Sequence, residues 1–248
     1  VLTGSVFLSI AMGLIATAYA AVGQGGATGY IAILGLLGFG PDIIRPAALA
    51  LNCMVSAIAA VQFARAGLVK WRTILPFALL GVPCSVLGGA THLSAAVYRP
   101  LVGTLLLVAA WQMAVSARRS RNEADHGGTS PAFGVALVAG AVIGFIAGVT
   151  GIGGGILLAP LALALGWAST RQTSAMAAIF NVLNSGAAFV GLWLTVSSLP
   201  ALSPWWFVAA ACGGLLGASL GARHFPTWIL RYALAAILVI AGARMFWS

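Results

Sequence analysis

The chain has 248 residues, of which 61% are hydrophobic and only 6% charged, against about 25% charged in an ordinary soluble domain. With a mean hydropathy of +1.07, these figures exclude a soluble globular domain, a disordered chain and a fibre. The net charge of +9 comes from twelve Lys and Arg scattered between apolar runs, which form no basic face for nucleic acid.

Ten apolar segments follow one another, at about 3–22, 24–38, 44–63, 72–91 and 98–117, then 131–150, 152–166, 172–194, 203–222 and 228–247. The expected fold is an all-α integral membrane protein whose standing partner is lipid. The first segment lacks a basic leader and a cleavage context and is read as structure. The second, after Gly23-Gln24-Gly25-Gly26, gives only about 15 residues where a straight span needs about 20. Segment 152–166, after the glycines of 151–155, is equally short. Both are expected to be broken or re-entrant helices that meet near mid-membrane. Between the fifth and sixth segments, Arg118, Arg119, Arg121, Glu123 and Asp125 mark the one long polar connection. It divides the chain into a first repeat, 1–117, a linker, 118–130, and a second repeat, 131–248.

The two halves are similar in sequence. Gly23–Ala27 align with Gly151–Gly155 at a shift of 128, Asn52 and Ser56 with Asn181 and Ser185 at 129, and Gly81 and Met113 with Gly213 and Met245 at 132. Five segments per half is an odd number, so the halves enter the membrane from opposite sides. That is the inverted-repeat plan of secondary transporters, whose site lies at the midplane between short, Gly-interrupted segments. Nine of the twelve basic residues, among them Arg65, Lys70, Arg72 and Arg171, fall on one side; Arg45, Arg99 and Arg244 fall on the other. The positive-inside rule then places the linker in the cytoplasm of a cell with the protein in its inner membrane, and both termini outside.

The candidate substrate site follows from this plan. Unwound backbone at Gln24, Gly25 and Gly26, and at Gly153, Gly154 and Gly155, is tolerated at membrane depth only where protein or a water-filled cavity covers it. Each cluster opens a helix, whose N–H groups and dipole suit an anion; close packing of small residues is the competing use. Asn52 with Ser56, and Asn181 with Asn184 and Ser185, lie on one helix face in each half. They suit hydrogen bonds to sulfonate or carboxylate oxygens, and equally suit cross-helix packing worth about 0.6 kcal/mol each; the sequence leaves both open. Gln24 faces Ile152 in the alignment, which suggests that it borders a cavity. Ser169 and Gln172 form a capping box, a structural assignment.

Other chemistries are poorly supplied. The only acids, Asp42, Glu123 and Asp125, lie outside the spans, which disfavours proton relays and hard cations. Cys53, Cys84 and Cys212 have no ligand or catalytic spacing, and His92, His126 and His224 fall in loops. No metal site, cofactor or catalytic residue is expected, and the oligomeric state is left open.

The run Gly148-Val149-Thr150-Gly151-Ile152-Gly153-Gly154-Gly155-Ile156-Leu157-Leu158-Ala159-Pro160, followed by Gly166, Ser174 and Asn181-Val182-Leu183-Asn184-Ser185, resembles the signature of the TauE/SafE sulfite exporter family. The first half repeats it more loosely, with Gln24 and Ala27 in place of Ile and Gly. The resemblance covers nearly the whole chain and implies a permease for small sulfur-containing anions, sulfite or organosulfonates such as sulfoacetate. The leading expectation is export by alternating access. A channel or facilitator for another small anion, an intramembrane enzyme and a non-transporting partner subunit are the alternatives.

Overall fold

The computed structural model describes residues 2–119, 131–196, 200–222 and 228–247, so the linker from 120 onward lies outside the described residues. Each apolar segment is one helix: α1 Leu2–Ala21, α2 Ala27–Leu36, α3 Pro41–Arg65, α4 Trp71–Ala90, α5 Ala95–Arg119, α6 Phe133–Thr150, α7 Gly155–Ala164, α8 Thr170–Trp193, α9 Pro204–Ala222 and α10 Trp228–Met245. Among the described residues, α3, α4, α5, α6 and α8 are long and apolar enough to cross a membrane. Large apolar side chains face outward along them, including Leu79 at 62% exposed and Val138 at 63%, as lipid rather than water requires.

Helix boundaries follow local chemistry. Pro41 at the first position of α3 carries no N–H to orphan and presets φ, so this helix starts three residues before the apolar run. Ser169 caps α8, its Oγ accepting from the Gln172 N–H at 3.4 Å. The short helices α2 and α7 each have ten residues and rise about 15 Å, half the hydrocarbon core.

Glycine sets the closest crossings. Gly140, Gly144 and Gly148 of α6 lie four residues apart and meet the backbone of Phe77, Gly81 and Ser85 on α4. Gly13, Gly213 and Gly217 do the same for α1 on α9. Without a hydrophobic drive in lipid, such backbone approach supplies the packing.

The main helix pairings are kept when the first five helices are exchanged for the second five. α4 on α6 corresponds to α9 on α1, α4 on α8 to α9 on α3, and α2 on α3 to α7 on α8, while α3 on α8 and α5 on α10 map onto themselves. α3 and α8 run antiparallel, Leu49 packing on Ala188 and Leu192 while Cys53 Sγ reaches the Val182 carbonyl.

Candidate functional site

α1 ends in a turn, with Gly23 and Gly26 at φ of 78° and 93°; α6 ends likewise, with Gly151 and Gly153 at 80° and 76°. These left-handed values are open to glycine at little cost. They turn the chain sharply enough for α2 and α7 to begin inside the molecule.

The first N–H of each short helix is taken by an asparagine of the neighbouring long helix. Ala27 donates to Asn52 Oδ1 at 3.1 Å, and Gly155 donates to Asn181 Oδ1 at 2.6 Å. Gly153 lies between the two amides, its absent Cβ 2.5 Å from Asn52 Nδ2 and 2.9 Å from Asn181 Oδ1. The turn of the second half therefore touches the asparagine of the first. The next N–H groups, those of Thr28, Gly29 and Ile156, have no acceptor among the described residues. Such orphan donors at converging helix starts suit an anion.

The other candidates surround this point. Asn52 Nδ2 donates to Ser185 Oγ at 2.7 Å. Ser56 is wholly buried against Gly25 and its hydroxyl has no partner among the described residues. Asn184 is occupied at both ends: Nδ2 donates to the Phe180 carbonyl at 3.0 Å, and Ser85 Oγ stands 2.6 Å from Oδ1. Gly154 packs on the Phe180 ring and Asn184, and Gly155 on Asn181. Gln24 lies on the wall of a cavity of about 160 Å³.

Two groups escaped the sequence reading. Ser85 ties α4 to Asn184 and also lies 2.8 Å from the Gly144 carbonyl of α6. Arg45, counted above only as a charge at the outer end, is 6% exposed. Its guanidinium reaches the carbonyls of Gly88, Gly89 and Thr91 at 2.6–2.8 Å and that of Gly148 at 2.8 Å from Nη2. These lie at the ends of α4 and α6, where carbonyls lack partners and the dipole is negative. Each was visible as a lone polar residue in an apolar run.

The two ends of the molecule differ. Where α8 begins, the cavity of about 160 Å³ lies among α5, α7 and α8 and reaches Val22 and Gln24 of the first turn. Where α3 begins, a wider cavity of about 510 Å³ is lined by Asp42, Arg45, His92 and Tyr98. Helix start for helix start, Arg45 of α3 corresponds to Ser174 of α8. Gly151 packs on the Arg45 stem and Gly23 on Ser174, so the same contact carries a long side chain at one end and a short one at the other. Likewise α2 closes on α10 with Gly35 against the Met245 methyl, whereas Met113 and Leu163, their counterparts on α5 and α7, line the smaller cavity.

Residues 8–245 match the sequence model of the family described as sulfite exporter TauE/SafE. The chain belongs to the TauE/SafE family. It is 47% identical over 245 residues, 99% of each chain, to the probable membrane transporter protein y4hK of Sinorhizobium fredii (strain NBRC 101917 / NGR234). It is 27% identical over 287 aligned positions to the probable membrane transporter protein MamO of Paramagnetospirillum magneticum (strain ATCC 700264 / AMB-1), covering 96% of this chain and 44% of that one. No solved structure matches. TauE/SafE membership and these relatives make the chain a membrane transporter, as its signature implied.

Proposed function

We propose that this TauE/SafE protein is a secondary transporter, not an enzyme, that exports a small sulfur-containing anion, sulfite or an organosulfonate such as sulfoacetate, by alternating access. The observation that carries this reading is the convergence of two glycine turns on Asn52 and Asn181, with Gly153 touching both amides. Short helices starting face to face inside a membrane protein aim their positive ends at one point. The sulfur comes from the family; the anion comes from the site.

The unlike ends support the cycle. Residues 1–117 and 131–248 act as two inverted units joined by the linker at 118–130, and their equivalent interfaces hold unlike arrangements. In this state the cavity at the basic, cytoplasmic end reaches the first turn, while Arg45 closes the route from outside. The opposite state exchanges the two arrangements: α5 closes on α7, and α2 parts from α10. Both termini lie outside.

Calorimetric titration of the purified protein with sulfite, sulfoacetate, thiosulfate and acetate tests the site. Binding of the sulfur anions but not acetate, lost in Asn52→Ala and Asn181→Ala, is the expected result. Binding that survives both substitutions would leave the amides as packing alone.

A further inference from the structure

The cavity that reaches the first turn holds a feature outside the repeat signature. Its polar lining is Gln24, Gln112, Thr173 and Ser174, with no charged side chain. Gln112 comes from α5, whose Trp111, Met113 and Val115 give the same wall its apolar part. Its Oε1 is buried without a hydrogen-bond partner among the described residues, and so is that of Gln24. Two carboxamides on one cavity wall, each with a buried end unmet, are unusual in a membrane interior, where an unsatisfied polar atom is costly.

We infer that Gln112 and Gln24 form a loading site for a small oxyanion on its way to the paired asparagines. This rests on the transport reading above. Each Oε1 is closed off from water-sized space, so the NH2, a donor, is the end left for the cavity. With the NH2 turned inward, each side chain donates to an oxygen of sulfite or of a sulfonate group. The rest of the wall, including Ile156, Pro160 and Leu163, is apolar and offers no competing acceptor. A volume of about 160 Å³ admits an anion of a few heavy atoms and is below the range of drug-sized pockets. Neutral donors also suit a carrier, because binding must be weak enough for release. At the equivalent position of the second half stands Arg244, so the amide at this end is particular to α5.

The test uses the whole 248-residue chain in liposomes, with sulfite and sulfoacetate as probes. Gln112→Leu is expected to raise KM about tenfold with little change in maximal rate. Gln112→Glu, of the same size, is expected to abolish uptake at neutral pH and to recover it as the pH falls and the new carboxyl protonates. The recovery counts for the loading site when it is seen with sulfoacetate, whose charge is constant near neutral pH, in protein whose thermal unfolding at neutral pH matches wild type; a packing role would lower that unfolding temperature. If Gln112→Leu folds poorly, Gln112→Met of similar length gives the same comparison. Wild-type transport with unchanged KM in the Leu or Met variant, and no pH-dependent loss in the Glu variant, would overturn the loading site alone. A wild type that moves neither probe would overturn the transport reading and the loading site together.

Discussion

Asn52 donates from Nδ2 to Ser185 Oγ at 2.7 Å, joining α3 of the first half to α8 of the second. The same asparagine accepts from the Ala27 N–H. One amide thus fixes the start of a short helix and ties the two halves together at the point where the turns converge. Asn181, its counterpart, caps α7.

Asn52→Ala should therefore cost more than Asn181→Ala. Losing one cap costs about 1 kcal/mol, and a second buried hydrogen bond adds about 1 kcal/mol. Thermal unfolding in detergent should rank wild type above Asn181→Ala, and that variant above Asn52→Ala. A double-mutant cycle of Asn52 with Ser185 should give a coupling of about 0.5–1.5 kcal/mol.

Gly153→Ala and Gly38→Ala form an informative pair. Both have positive φ, 76° and 81°, so both incur about 1–2 kcal/mol of backbone strain. A methyl at Gly153 also meets Asn52 and Asn181, while one at Gly38 meets nothing within 4 Å. Transport should be lost in the first and kept in the second, measured on protein that passes the same gel-filtration check.

Arg45→Ser copies the short side chain of Ser174. It removes the guanidinium from the carbonyls of Gly88, Gly89, Thr91 and Gly148, where bonds to a charged group are worth about 1.5–3 kcal/mol each before losses are shared. The variant should unfold at a lower temperature. A cysteine introduced at Ser85 should also become reactive to a membrane-impermeant thiol reagent added outside. Unchanged labelling would remove Arg45 from the outer closure.

Export of an unaccompanied anion from a negative interior gains about 2.3 kcal/mol per 100 mV. Efflux from liposomes clamped inside-negative with potassium and valinomycin should exceed efflux at zero potential. Equal rates would mean that the anion carries its own proton, as bisulfite does.

Much of this was legible in the chain. The helices follow the apolar runs because nothing but length and hydropathy decides a membrane segment. The glycine turns and the two asparagines were legible because the same pattern stands in both halves of the chain. The role of the asparagines was not, since a shared helix face says nothing about the partner. Spacing marks Asn52 and Ser56 as neighbours; only the fold brings Ala27 and Ser185 to Asn52. Arg45 and Ser85 were passed over because each occurs once, without an echo in the other half. The asymmetry between the ends was half visible, as Arg45 against Ser174 and Gly35 against Leu163; only the fold shows that Gly35 meets Met245 while Leu163 borders a cavity.

The most direct test of the central claim is counterflow: uptake of labelled sulfite or sulfoacetate into proteoliposomes preloaded with the same anion. Alternating access at one site predicts saturable uptake, accelerated by the internal anion and absent with acetate. Uptake that rises linearly with concentration and ignores the internal anion would contradict it.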